Sequence, residues 1–196
     1  ISRIDEAVNG REVDMIIGGP PCQAYSTAGR VRDKKGMEND ARNFLFESYV
    51  KILEHYLPKL FVFENVTGLF SAKVGGESIL PKVISALGKH YEVISDPEKI
   101  VFNTSNYGVP QIRKRIILIG IRKDIKSLNI SDIYNSITKT HDAPEMPDSD
   151  RKGLKKFVDV KEALGDLPIV YPGQDASTDE FNYPCDNEFL KAIGKP

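Results

Sequence analysis

The amino-acid sequence predicts an α/β protein built on a mainly parallel sheet. Short continuous apolar runs, typical of strands buried on both faces, alternate with segments whose apolar residues recur at helical spacing. The predicted order is strand, helix, strand, helix, strand, strand, which favours parallel pairing. Reactive groups in such sheets lie at the carboxyl ends of the strands, so the residues that follow each apolar run are the candidates for chemistry.

The first half of the chain supplies two strands and one helix. A strand is predicted at residues 13–17, where an apolar run ends in two glycines and two prolines. Residues 23–41 are polar, charged and punctuated by glycine, which indicates a long loop. A helix is predicted from Arg42 to the stop at Pro58, and a second strand at residues 60–64.

The second half begins with an amphipathic helix predicted at residues 79–87, with Gly88 as its C-cap. Two more strands are predicted at about 91–102 and 115–121. After residue 124 the pattern weakens, apart from one short amphipathic segment at residues 160–164.

Composition excludes several classes of protein. The 196 residues are 40% hydrophobic and 28% charged, and no apolar run approaches the roughly 20 residues of a membrane helix. Two cysteines, Cys22 and Cys185, cannot form a disulfide framework, and no Cys/His pair has zinc spacing. We therefore expect a cytoplasmic protein with no membrane segment and no metal. The start resembles neither a signal nor a transit peptide and carries no initiator Met, so we interpret the chain as a piece of a longer protein.

The net charge of -1 conceals an asymmetry. Residues 1–123 hold 18 Lys and Arg against 14 Asp and Glu, whereas residues 124–196 hold 9 against 14. Two basic clusters lie at residues 30–42 and 113–123. Residues 1–123 are therefore the part of the chain that could bind phosphate groups. The alternative for each cluster is a solvated surface.

Two residues at predicted strand ends could carry chemistry. Cys22 stands at the head of the basic loop, where positive charge favours the reactive thiolate, although a lone cysteine is more often a small buried core residue. Glu64 closes the second strand as either a buried acid suited to proton transfer or a carboxylate turned to water. The residues alone leave both choices open.

A third group of candidate residues lies just before the last predicted strand and at its start. Gln111, Arg113 and Arg115 alternate, so a strand would place all three side chains on one face. Two guanidinium groups there could hold a carbonyl oxygen or a phosphate, and the alternative is an edge strand kept soluble by charge.

Together and in order, these segments resemble the DNA (cytosine-5) methyltransferase family. Gly19-Pro20-Pro21-Cys22-Gln23 is similar to its Pro-Cys-Gln nucleophile motif, and Phe63-Glu64-Asn65-Val66 to its Glu-Asn-Val motif. Residues 106–115 are similar to the Gln-x-Arg-x-Arg motif with its lead-in. The resemblance covers about residues 12–123, and its specificity comes from the three motifs together.

The resemblance implies a doubly wound, Rossmann-like sheet of the S-adenosylmethionine-dependent methyltransferase type, and it gives each candidate a role. The Cys22 thiolate would add to carbon 6 of a cytosine flipped out of double-stranded DNA. Glu64 at N3 and Arg115 at O2 would stabilise the charge that develops on the ring. Arg113 would brace Glu64 or contact phosphate. The implied DNA-binding residues are Gln23, Ser26, Arg30 and Gln111.

The implied cofactor is S-adenosylmethionine, and we expect most of its site to be missing. The family's Phe-x-Gly-x-Gly turn has no counterpart, because no two glycines here are separated by a single residue. Gly19, Pro20 and Pro21 would be the remaining contacts on the methyl-donor side. We accordingly expect a methyltransferase core at residues 1–123, incomplete at its N-terminus, and the beginning of a variable target-recognition region at residues 124–196.

The predicted function is methylation of cytosine carbon 5 in DNA by an enzyme of the restriction-modification type. The isolated chain is expected to be inactive, and either prone to aggregation or stabilised by self-association. Two alternatives remain: a tRNA cytosine-5 methyltransferase, which shares the motifs, and a non-catalytic nucleic-acid-binding remnant.

Overall fold

The chain divides into two compact units in the computed structural model, which describes residues 1–21, 45–74, 76–165, 167, 170–175 and 188–193. The first unit comprises Ile1–Phe102 and Lys114–Thr138. The second comprises Asn103–Arg113 and Lys139–Pro196. No helix in these described ranges is long and apolar enough to span a bilayer.

A five-stranded sheet forms the centre of the first unit. The strands of the chain are β1 (Met15–Gly18), β2 (Leu60–Val66), β3 (Lys73–Val74), β4 (Glu77–Ser78), β5 (Tyr91–Val93), β6 (Val101–Asn103) and β7 (Lys114–Arg122). The sheet has the order β1-β2-β7-β5, with β6 also paired to β7, while β3 and β4 form a separate pair. β1 is parallel to β2, and β7 is antiparallel to both β2 and β5, so β1, β2 and β5 share one direction. The predicted α/β class is confirmed, with one reversed strand inserted between β2 and β5.

Two of the helices bury an apolar stripe that the sequence pattern predicts. In the described residues they are α1 (Ser2–Val8), α2 (Leu45–Tyr56), α3 (Ile79–Leu87), α4 (Pro97–Ile100), α5 (Ile130–Ser136), α6 (Val160–Leu164) and α7 (Glu188–Ala192). The apolar stripe of α2 buries Tyr49 and Leu53, and that of α3 buries Ile79, Val83 and Leu87. The predicted helix at residues 79–87 and the segment at residues 160–164 are confirmed to the residue.

Two strand predictions need correction. Residues 91–102 are two short strands separated by α4, because Asp96 caps that helix by accepting a hydrogen bond from the Glu98 N–H and Pro97 has the φ angle of a first helical residue. The predicted strand at residues 115–121 is confirmed as Lys114–Arg122. Gln111 and Arg113 lie in the loop before it, so the predicted strand alternation does not apply to them.

The core of the first unit lies on the face of β2 that carries alternate aromatic residues. Phe61 and Phe63 are at most 1% exposed, and Tyr49 of α2 packs edge-on against both rings. Gly120 on β7 provides the space for Phe61, because a Cβ there would collide with the ring. Glu64 therefore points to the opposite face of β2.

Candidate active site

Glu64 and Arg115 form an ion pair at the carboxyl end of β2. In the register of β2 with β7, Val66 lies opposite Arg115, which makes Glu64 its diagonal neighbour on the same face. Arg115 Nε lies 2.9 Å from Glu64 Oε1, with 20% and 42% of the two side chains exposed. Arg115 Nη1 also donates to the Lys114 carbonyl at 2.8 Å. The carboxylate is therefore held in a defined orientation and remains open to a ligand.

The turn that leads to Cys22 lies directly beside this pair. We call residues 18–21 the Gly-Pro turn. The parallel pairing of β1 with β2 places Gly18 opposite Phe63, so the turn leaves the sheet next to Glu64. Gly19 is so close that a Cβ there would lie 2.8 Å from Glu64 Oε2. The sheet thus brings the predicted nucleophile segment and the predicted acid together from positions far apart in the sequence.

Asn65 connects the two elements and was not among the predicted site residues. Its side chain is buried, donates from Nδ2 to the Pro20 carbonyl at 3.5 Å, and accepts the Val66 N–H on Oδ1 at 2.8 Å. The signal in the sequence was its position in the Glu-Asn-Val segment. The contact itself depends on the pairing of β1 with β2, which sequence spacing does not specify.

Tyr49 connects β1 and β2 from the helix side. Its hydroxyl donates to the Val62 carbonyl at 3.0 Å and lies 3.3 Å from the Ile16 carbonyl. Burial raises the pKa of Tyr49, so the hydroxyl keeps its proton and its role as a donor. The ring occupies the space beside Gly18.

An apolar cleft of about 510 Å³ opens next to the Gly-Pro turn. The turn forms one part of its wall, and no residue that lines it in the described ranges is acidic. The other lining residues come from α1, β1 and α2 and the segments beside them: Ile4, Val8, Val13, Ile16, Ile17, Leu45, Ser48, Tyr49, Ile52 and Tyr56.

The loop that precedes Arg115 belongs to the second unit and is closed by its own hydrogen bonds. Asn103 Oδ1 accepts from the Ser105 and Arg113 N–H groups at 3.3 and 3.2 Å, and Thr104 Oγ1 donates to the Gln111 carbonyl at 2.6 Å. Gln111 and Arg113 are exposed. The predicted residues Cys22, Gln23, Ser26 and Arg30 lie outside the described residues.

The tail of the second unit packs against that loop. The N–H groups of Thr140 and His141 both donate to the Asn106 carbonyl at 3.0 Å. The His141 ring lies against Gly108, where an added Cβ would be 2.8 Å from Cε1. The described part of the chain holds no group of three or more His, Cys, Asp or Glu residues that could bind a metal.

Comparison with solved structures assigns the class of fold. A crystal structure of a prophage-encoded E. coli protein, described as a DNA modification methyltransferase, matches with a TM-score of 0.59 at 29% identity, over 86% of this chain and 39% of that one. The fold is the Rossmann-like fold of the S-adenosylmethionine-dependent methyltransferases. The family model for the C-5 cytosine-specific DNA methylases matches residues 1–191, and the chain belongs to this family.

Individual relatives agree with this assignment, which confirms the predicted resemblance. The type II methyltransferase M.Bpa9945I of Bacillus paralicheniformis is 35% identical over 87% of this chain and 36% of its own length. The type II methyltransferase M.DdeI of Desulfomicrobium norvegicum is 31% identical over 97% of this chain and 41% of its own length. The chain thus spans about two fifths of the length of these relatives.

Proposed function

We propose that the full-length protein transfers a methyl group to carbon 5 of cytosine in DNA. The observation that carries the proposal is the Glu64–Arg115 ion pair beside the Gly-Pro turn, because it gathers residues of all three family motifs at the carboxyl end of β2. Membership of the C-5 cytosine-specific family and the type II methyltransferases among the relatives support DNA as the substrate.

Cys22 is the proposed nucleophile. Carbon 5 of cytosine is too electron-poor to accept a methyl group directly, and addition of a thiolate at carbon 6 makes it nucleophilic. The addition moves negative charge onto N3 and O2 of the ring. Loss of the carbon 5 proton after methylation then expels Cys22 and restores the aromatic ring.

Glu64 and Arg115 are proposed to stabilise that charge. Glu64 donates or shares a proton at N3, and Arg115 donates to O2. The geometry supports both roles, because Arg115 contacts Glu64 through Nε while a guanidinium group carries five N–H donors in total. Arg113 is proposed to contact the phosphate backbone and Gln111 to contact DNA. The loop candidates Gln23, Ser26 and Arg30 are proposed to contact the phosphate backbone or the vacated stack.

S-adenosylmethionine supplies the methyl group when it is bound, and the described residues fit one side of it. The cleft beside the Gly-Pro turn has the size and apolar lining of a small-molecule site, with Gly19, Pro20 and Pro21 on the side towards Cys22. A carboxylate to grip ribose hydroxyls is absent from the described lining. These residues therefore form the part of the site nearest the methyl group.

The proposal is tested by methyl incorporation with the full-length protein. Labelled S-adenosylmethionine is supplied with duplex DNA in one arm and tRNA in the other, and the product nucleoside is identified by mass spectrometry. We expect 5-methylcytosine in DNA alone. Label in tRNA alone would assign the protein to the tRNA-methylating alternative. If the protein binds DNA but labels neither nucleic acid, the non-catalytic alternative is favoured.

A further inference from the structure

Gly19 stands where the Gly-Pro turn passes Glu64. We propose that Gly19 is a positioning residue for Glu64, because the space left by its missing side chain is the space that the Glu64 carboxylate occupies. This inference rests on the proposed function and assigns to Gly19 a role other than the cofactor contact inferred from the sequence.

The distances single out one atom of Glu64. A Cβ on Gly19 would lie 2.8 Å from Oε2, but 3.6 Å from the Glu64 carbonyl oxygen and 3.7 Å from its Cβ. The two longer distances are ordinary van der Waals contacts, whereas the first lies well inside the optimum of about 3.5–4.0 Å. An alanine at residue 19 would therefore conflict with the carboxylate alone.

Backbone conformation gives no reason for a glycine here. The φ angle of Gly19 lies outside the left-handed region, unlike those of Gly10, Gly76, Gly108 and others. An L-residue can adopt this backbone without strain. Space for the carboxylate is thus what the structure requires of this position.

The steric conflict between a Cβ on Gly19 and Glu64 Oε2 can be relieved with little loss of stability, but its relief disturbs the ion pair with Arg115. Oε2 is the end of a flexible side chain, so Glu64 can rotate away with little loss of stability. The carboxylate is rigid, however, and moving Oε2 also moves Oε1 from its position 2.9 Å from Arg115 Nε. A substitution at Gly19 should therefore separate catalysis from stability.

Gly18 provides a matched control one residue away. A Cβ there would lie 2.6 Å from Tyr49 Cε2, a ring that is 6% exposed and packed 5.4 Å from Phe63. Displacing this ring would break the hydrogen bond of its hydroxyl to the Val62 carbonyl and its packing against Phe63. Gly18→Ala is therefore expected to lower stability, and it leaves the space beside Glu64 unchanged.

The experiment compares Gly19→Ala and Gly18→Ala in the full-length protein. For Gly19→Ala we expect a single-turnover methylation rate at least about ten-fold lower, a melting temperature near that of the wild type, and affinities for DNA and S-adenosylmethionine within about two-fold. In a Glu64→Ala background, Gly19→Ala should change the residual rate by less than about two-fold, since the conflicting atom is gone. A wild-type rate, or a loss confined to S-adenosylmethionine affinity, would overturn the inference.

A crystal structure of Gly19→Ala keeps this test separate from that of the proposed function. The inference predicts that Oε1 of Glu64 moves beyond 4.0 Å from Arg115 Nε, which is the limit for an ion pair. An unchanged pair would refute the role of Gly19 whether or not the protein methylates DNA. A wild-type protein that transfers no methyl group would refute the proposed function alone.

Discussion

The side-chain amide of Asn65 reaches from β2 to the carbonyl of Pro20, two residues before Cys22. This contact holds the Gly-Pro turn to the strand that carries Glu64. Catalytic groups must keep their relative positions to within a fraction of an ångström, so a contact of this kind affects rate more than binding.

Asn65→Ala and Asn65→Asp test this contact. Both variants lose the donor to Pro20, but Asp retains an acceptor for the Val66 N–H. We expect both to lower the single-turnover methylation rate by about ten-fold or more, with Ala also costing about 1–3 kcal/mol in urea unfolding. DNA affinity, measured in parallel, should stay within a few fold. A rate loss with Ala alone would assign the effect to the Val66 contact.

Substitution of Arg115 should affect rate far more than stability. The ion pair with Glu64 is partly exposed, and such pairs contribute about 0–1 kcal/mol. Arg115→Ala is expected to reduce the methylation rate about 100-fold or more, and Arg115→Lys to restore little of it, because an ammonium group cannot reproduce the contacts of Nε and Nη1.

Lys114→Ala is the matched control for Arg115, since it removes a positive charge from the adjacent, exposed position. Its methylation rate at saturating DNA should be near that of the wild type. If both substitutions lowered the methylation rate equally and low salt restored both rates, Arg115 would be only a general electrostatic contact with DNA.

Tyr134 of α5 should contribute to stability through two hydrogen bonds to β7. Its hydroxyl accepts the Ile119 N–H at 2.9 Å and donates to the Ile117 carbonyl at 3.0 Å, just beyond the residues of β7 that pair with β5. Tyr134→Phe leaves the Ile119 N–H buried without this partner, so we expect a loss of about 1–3 kcal/mol in urea unfolding at neutral pH.

The effect of Tyr134→Phe should depend on pH. Burial raises the pKa of Tyr134 above its ordinary value of 10.0. A group whose pKa is raised by folding stabilises the fold below its unfolded pKa and loses this contribution as the pH rises through its folded pKa. The difference in stability between wild type and variant should therefore narrow above pH 10. A constant difference would contradict the assignment.

Gly108 is expected to be intolerant of alanine for two reasons. Its φ of 80° favours glycine, and the His141 ring fills the space beside it. Gly153 has a φ of 83° with nothing within 4 Å, so Gly153→Ala measures the backbone strain alone, about 1–2 kcal/mol. Gly108→Ala should cost more than this in unfolding experiments, and His141→Ala should remove the excess.

The sequence predicted those features that depend on local pattern. The apolar stripe of α3 and the end of β1 at Gly18 could be predicted, because helix periodicity and strand-ending residues act over a few positions. Asp96 and Pro97 mark the break within residues 91–102, because an Asp N-cap and a Pro at the first helical position are local signals. α1 and α5 were missed, although Asn129 caps α5 by accepting the Ser131 and Asp132 N–H groups.

The geometry of the site could not be predicted in the same way. The contact between Glu64 and Arg115 requires β7 to run antiparallel beside β2 in one register, and no local pattern specifies that register. The family motifs contain both residues, but the motifs do not specify that the two side chains form an ion pair. The roles of Gly19 and Asn65 likewise follow from the parallel pairing of β1 with β2.

The central claim, that Cys22 attacks the target cytosine, is tested most directly by covalent trapping. The full-length protein is incubated with S-adenosylmethionine and duplex DNA that carries 5-fluorocytosine at the target position. Fluorine cannot leave as a proton does, so the thiolate adduct persists after methyl transfer. We expect a denaturant-stable complex whose digest places the nucleotide on Cys22, formed by Cys185→Ser and absent from Cys22→Ser. An adduct on Cys185, or an adduct formed equally by Cys22→Ser, would contradict the account.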